Sequence, residues 1–349
     1  MTQLIGQSKK KRSAVRLLAL FMTAVALVSV AGCKDRSEAR AKTAVLVSPQ
    51  RAGDNGPVDN MLAGLNRAKT EFGYHTKLIE ATDPSSYQST LTNLGRSQAD
   101  IVMVAFPQFA SALKAVAPKY PHTKWVHLYA DPYKPKINNL VALRFDTYAP
   151  AYLSGYLAAE VSKRGTVGFI GGTAIPNTYA DYHAYAAGAR AARPGVKVKG
   201  AIVGSFQDAV AAERIAKSMY ASGADVVLTL AGGSSAGVVT AAAEADALAI
   251  TDGVPGPSGA RTVIGIASQN YGQALYLQLK ALSQHTWVAG KVEYGLPENI
   301  TFLHPNPQFA TKAPTAQAAK VKDALLQVTK VRQQIIDGTM KVPFDTRGF

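Results

Sequence analysis

The segment 140–176, LVALRFDTYAPAYLSGYLAAEVSKRGTVGFIGGTAIP, reads as strand, helix and strand in succession, an order that few architectures accommodate. Leu140–Phe145 is a short apolar run rich in strand formers. Pro150 suits the first turn of a helix, where its missing N–H costs nothing, and Tyr152, Leu153, Tyr156, Leu157 and Val161 recur at helical spacing. Lys163-Arg164-Gly165 is a helix stop, with cations at the negative end and a glycine beyond. Thr166–Ile170 then reads as a buried parallel strand running into Gly171-Gly172, where glycine lets the backbone come close to whatever sits at the strand's carboxyl end. In open α/β sheets that end is where ligands bind.

The alternation continues in both directions. Strands are expected at Thr43–Ser48, Thr76–Ala81, Asp100–Ala105 and Lys124–Tyr129, separated by helices that carry Met61, Leu62, Leu65 and Ala68, then Ser86–Arg96, then Phe109, Leu113 and Val116. Beyond the central segment come a helix over Asn177–Ala192 and strands at Lys197–Val203, Asp225–Leu230, Ala247–Thr251, 263–267 and 292–296, with a closing helix over 314–337. Such alternation implies parallel sheets covered on both faces. The second half echoes the spacing of the first, and 349 residues with 47% hydrophobic content suffice for two cores.

The N-terminus has a different character. Lys9, Lys10, Lys11, Arg12 and Arg16 precede the apolar run Leu17–Ala31, which is short for a membrane span and ends in Val30-Ala31-Gly32-Cys33. That is the layout of a secretory signal, and small residues before a cysteine resemble the bacterial lipobox, after which Cys33 becomes the lipidated N-terminus. Residues 1–32 are then a signal peptide and 33–42 a tether, the alternative being an uncleaved anchor helix; either places the folded part outside the cytoplasm. Cys33 is the only cysteine, so intramolecular disulfides and CxxC sites are excluded. The formal charge of +15 falls to +10 once the five signal cations, which meet no acid, are set aside. No RNP-like motif, zinc-finger spacing or dense basic block follows residue 33, so the charge fits anionic lipid rather than nucleic acid.

Enzymatic signals are absent. His75, His122, His127, His183, His285 and His304 show no HxH or HExxH spacing, and no GxSxG elbow or P-loop is present. Gly232-Gly233-Ser234-Ser235-Ala236-Gly237 lies between a strand and a helix but matches neither phosphate-binding glycine pattern. Phe106, Tyr148, Tyr185 and Phe206 fall at expected strand ends or helix starts, where an aromatic face could take a flat heterocycle or belong to the core.

Four phrases, AYLSGYLAA, GTVGFIGG, SGADVVLTLAGG and IIDGTMKVP, span most of the mature chain in the order in which they occur in one family. On them the chain resembles the basic membrane lipoprotein group of ABC-transporter substrate-binding proteins, which bind nucleosides and nucleobases. The resemblance implies a type I periplasmic-binding fold: two doubly wound parallel-sheet α/β lobes, approximately 43–146 with 262–296 and 147–261 with 297–349, joined by a multi-strand hinge. It implies no cofactor or metal, a purine base or nucleoside as ligand, an ABC permease and ATPase as partners, a lipid-anchored extracytoplasmic location and no catalysis. A ligand-sensing lipoprotein reporting to a membrane receptor is the alternative, and an extracytoplasmic hydrolase lacks a base and nucleophile.

The resemblance also implies site residues. Asp54, in the Gly53-Asp54-Asn55-Gly56 loop, stands where members carry a ligand-loop aspartate, with Asn55 beside it, although Pro57-Val58 replace the Phe-Asn of many members. Gly232, in the Ala-Gly-Gly turn, implies a close backbone approach to a neutral ligand. Asp252 resembles the acid that holds ribose hydroxyls, or it is a helix cap. Gln269 stands where members often place a lysine, and Tyr148 where nucleoside binders tend to have a carboxylate, which together favour free bases.

Overall fold

The computed structural model describes residues 42–53 and 56–349. The signal peptide, most of the tether, Cys33, Asp54 and Asn55 therefore lie outside the described residues. In chain order the elements are β1 (Thr43–Ser48), α1 (Pro57–Phe72), β2 (His75–Glu80), α2 (Tyr87–Arg96), β3 (Ile101–Val104), α3 (Ala110–Val116), β4 (Lys124–Leu128) and β5 (Leu140–Phe145). There follow α4 (Tyr148–Val161), β6 (Thr166–Gly171), α5 (Pro176–Ala192), β7 (Lys197–Ile202), α6 (Ala209–Ala221), β8 (Val226–Leu230), α7 (Ser235–Glu244) and β9 (Leu248–Thr251). The chain closes with β10 (Val263–Gln269), α8 (Tyr271–Ser283), β11 (Gly290–Tyr294), β12 (Thr301–Pro305), α9 (Pro307–Lys312) and α10 (Thr315–Ile336).

The strands form two six-stranded sheets, ordered β11-β5-β4-β3-β1-β2 and β12-β10-β9-β8-β6-β7. All pairs are parallel except β10 with β12. The near-continuous apolar strands are explained by burial on both faces. Leu46, Met103, Val126, Val141 and Leu143 pack under α1 and α8, while Val45, Val47, Val102, Val104 and Trp125 face the α2–α3 side. In the second sheet Val167, Phe169, Val226 and Leu228 meet α4, α5 and α10, and Ile170 and Val227 meet α6 and α7. Each such side chain stabilises the fold by roughly 1.5–3 kcal/mol relative to exposure.

The central helix α4 is buried nearly all round, and its closest neighbour is α5. Two glycines permit that approach: a Cβ on Gly155 would overlap the Tyr185 carbonyl, and one on Gly188 would overlap the Tyr152 carbonyl. The same packing corrects one expectation. Tyr185 is fully buried between α4 and the sheet, 6.0 Å from the Phe169 ring, and belongs to the core rather than to a ligand site. Its register alongside Ala184, Gly188 and Ala189 puts it on the inward face of α5.

The chain passes between the sheets three times: after β5, after β10, and between β11 and β12. The crossing expected at 262 lies at Asn270 instead. Strand β10 pairs with β9 and β12 in the second sheet, and only then does Asn270 cap α8, whose partner is α1 on the first sheet. An apolar strand carries no local mark of which sheet it will join, so the side chains of 263–269 alone left the boundary open. Because both sheets have the same strand order, their carboxyl ends and switch points are equivalent, and the loops from those ends line the cleft.

Candidate functional site

At the carboxyl ends of the first sheet stands a group of aromatic side chains. Tyr129 follows β4 directly and Phe106 stands two residues past β3, and both have positive φ, 55° and 71°. Phe106, with ψ 158°, occupies a region that is essentially glycine's, at a cost on the order of 1–3 kcal/mol. His127 holds it there: its Nε2–H donates to the Phe106 carbonyl at 2.8 Å, and its Nδ1 accepts from the Tyr133 hydroxyl at 2.8 Å. Burial brings the His127 pKa down to about 4, which keeps the ring neutral and able to play both parts. The Phe106 and Tyr129 rings lie 6.3 Å apart and near parallel, and Phe145 and Tyr271 extend the cluster, 4.8 and 5.8 Å from Tyr129.

Polar groups are set among these rings. Gln269, at the end of β10, receives hydroxyls from Tyr129 (2.9 Å) and Tyr271 (2.7 Å) on its Oε1, and the two hydroxyls are 3.2 Å from each other. Two protons serve three contacts, so lone pairs remain for a bound molecule. Burial raises Tyr271 to about 12 and Tyr129 well above the usual phenol value, with the charges of Asp181 and Asp252 adding to the latter. Both aspartates belong to the second lobe, so their charges are felt across the cleft.

The second lobe contributes turns at equivalent strand ends. Gly172 follows β6, and a Cβ there would overlap the Phe206 ring, which lies over the bare backbone and is 40% exposed. The Phe206 carbonyl accepts from Ser234 N–H at 3.2 Å, tying this loop to the glycine turn after β8. Asp252, after β9, accepts from Gly232 N–H at 2.7 Å, so its carboxylate fixes that turn; burial raises its pKa to about 6 against the pull of these hydrogen bonds. Phe106, Phe206, Gly232, Asp252 and Gln269 thus all stand on loops or ends at one side of the two sheets. Tyr148 is placed differently: it opens α4 beside the first crossing, and its ring packs edge-on against Phe344 at 5.1 Å.

Four participants escaped the reading of the sequence. Tyr129 was visible only as the last residue of a strand. Tyr271, two residues past Gln269, opens α8 and carried no mark of its own in the sequence. Asp146 sits at the first crossing, where it accepts from Ala149 N–H at 2.9 Å at the start of α4, and is raised to about 6 by burial and then by Glu293 and Glu298. Asp181 lies in the second turn of α5, takes the Thr147 hydroxyl at 2.8 Å, and is raised to about 7 by burial and then by Asp146. Only their position after a strand could have signalled the first three; Asp181 has no such mark. Among the described residues no cluster of His, Cys, Asp and Glu could hold a metal ion, and no helix is long and apolar enough to cross a membrane.

A family model described as Bmp, ABC transporter substrate-binding protein PnrA-like, matches residues 41–342. The chain belongs to this family. Bmp proteins are extracytoplasmic substrate-binding proteins rather than enzymes. Similar proteins include basic membrane protein A1 of Borrelia garinii subsp. bavariensis, 28% identical over 84% of this chain and 88% of its own. Basic membrane protein A of Borreliella afzelii is 30% identical over 72% and 78% of the two chains. Among solved structures, an ABC-transporter solute-binding protein from Aeropyrum pernix K1 aligns with TM-score 0.70 at 21% identity, covering 87% of this chain and 94% of that one. Another from Conexibacter woesei aligns with TM-score 0.72 at 18% identity, covering 88% and 100%. These likenesses identify the type I periplasmic-binding fold.

Proposed function

We propose that this Bmp-family chain is a lipid-anchored substrate-binding protein that captures a purine base or nucleoside in the cleft and hands it to an ABC permease. The observation that carries the reading is the pairing of an aromatic wall, Phe106 with Tyr129, with Phe206 exposed on the other lobe's loop. Stacking between two such faces removes both sides of a planar heterocycle from water at once. Gln269, the two tyrosine hydroxyls, Asp252 and the Gly232 turn supply the few polar groups that fix orientation in an otherwise apolar site. Closing on the ligand through the three crossing segments gives the permease a distinct shape to recognise. Asp54 and Asn55, which follow β1 in the sequence, are carried over as ligand residues on the resemblance to the family, and Cys33 carries the anchor.

Calorimetric titration tests the ligand class. The protein, freed of co-purified ligand by unfolding and refolding, is titrated with adenine, guanine, hypoxanthine, adenosine, guanosine and inosine; heat and a raised melting temperature are expected with at least one, and silence with all six refutes the class. Cys33→Ser is expected to leave unprocessed or soluble protein, and an acylated species that partitions into detergent like the parent would remove the anchor.

A further inference from the structure

Asp181 is the only buried carboxylate among the described residues, 7% exposed. It has one hydrogen-bond partner there, Thr147 Oγ1, which donates to Oδ1 at 2.8 Å. No lysine or arginine pairs with it. The groups that act on it or share its surroundings are acidic or neutral: Asp146 at the first crossing with Glu293 and Glu298 behind it, Thr147, and Tyr129 from the other lobe, whose hydroxyl also feels Asp252. A buried carboxylate with no cation and one donor is costly to keep. Such groups gather at sites where a ligand completes the hydrogen bonding.

We infer that Asp181 is a specificity-determining ligand contact whose carboxylate accepts two adjacent donors of the bound molecule, either the paired N–H groups of a guanine-type edge or the vicinal hydroxyls of a ribose. The inference rests on the heterocycle reading above. Asp252 is less available for the task, because Gly232, the Ser235 hydroxyl, Ala231 and its own backbone all hydrogen-bond to its carboxylate, against the one donor on Asp181. Two donors meeting one carboxylate form the strongest arrangement a neutral ligand offers it, and a site built to receive them rejects a molecule that lacks one. The inference also gives a direction with pH. Protonation turns one acceptor into a donor, so affinity for the paired-donor ligand falls as the pH drops through about 7, where Asp181 titrates in the empty protein.

Asp181→Asn makes the same exchange permanently without changing shape. The refolded parent and variant are titrated with guanine and hypoxanthine, which differ by the exocyclic amine, and with guanosine and 2′,3′-dideoxyguanosine, which differ by the diol, at pH 8 and pH 6. The parent is expected to prefer the paired-donor member of one pair by about tenfold or more. In Asp181→Asn that preference collapses and the part of its pH dependence centred near 7 is lost, Asp252 being common to both proteins, and the pair in which it collapses names the source of the donors. Unchanged preferences in the variant, or a uniform loss across all four ligands, overturn the role of Asp181 while leaving purine binding intact. A parent that binds none of the four overturns this inference, and silence with adenine and adenosine as well overturns the heterocycle reading with it.

Discussion

Replacing Asp181 by asparagine is expected to stabilise the empty protein, and by an amount that depends on pH. Burial raises this carboxyl from 3.8 to about 7, so the folded state resists ionisation that the unfolded chain undergoes freely. The sign follows from proton counting. Between pH 4 and 7 the native state binds more protons than the unfolded state, so stability is lost as pH rises through that window and the loss is complete above 7. At 1.36 kcal/mol per unit, the penalty is about 4 kcal/mol at pH 8, about 2 at pH 5.5 and well under 1 at pH 4. Asparagine keeps an acceptor for the Thr147 hydroxyl and carries no such penalty. Neutral effects of the substitution are equal at all pH values, so the quantity to compare is the difference in melting temperature between variant and parent. His127, whose depressed pKa makes the fold less stable on acidification below about 6.5, and the raised Asp252 are common to both proteins and cancel, whereas the charge of Asp146, which adds to the Asp181 shift, is part of the penalty that the variant removes. The advantage of the variant should be greater at pH 8 than at pH 5.5 by about 2 kcal/mol, or roughly 4–8 °C at 2–4 °C per kcal/mol. Differential scanning fluorimetry on ligand-free protein measures it. A difference that does not vary with pH refutes the claim that Asp181 is buried and charged.

Further outcomes concern the site and its support. Phe206→Ala should weaken purine binding by about 1–3 kcal/mol, a Kd roughly five- to 150-fold higher by calorimetry, with the melting temperature of the empty protein little changed; the reverse pattern would assign Phe206 to the core. Tyr133→Phe leaves His127 Nδ1 buried without its donor and should cost about 1–3 kcal/mol in urea unfolding, whereas no loss would mean that the His127 bridge to Phe106 does not depend on it. Gly155→Ala forces α4 and α5 apart and should lower the melting temperature by more than any of these, and an unchanged value would show that the helices can part without penalty.

Much of the architecture could be read from side-chain order. Strands buried on both faces show as unbroken apolar runs, and Gly171-Gly172 and Gly232-Gly233 do mark the carboxyl ends of β6 and β8. What stayed hidden depends on contacts distant in sequence. Val263–Gln269 has the composition of a strand for either sheet, and only its pairing with β9 and β12 shows that the chain crosses later, at Asn270. Tyr182 and Tyr185 look alike on a helix, yet Tyr185 faces α4 while Tyr182 stacks on Phe349 at 3.7 Å. The strain at Phe106 leaves no trace in its neighbours, because the group that holds it in place, His127, arrives from the next strand. Asp181 is a polar residue inside a helix, ordinary in sequence, and becomes unusual only through what surrounds it.

The central claim is that the cleft holds a planar, donor-bearing heterocycle, and mass spectrometry of small molecules released on denaturing the freshly purified protein tests it most directly. The account predicts a purine base or nucleoside, released in an amount approaching one per protein and in a smaller amount from Phe206→Ala prepared in parallel. Release of a hexose, an amino acid or another molecule without an aromatic ring would contradict it.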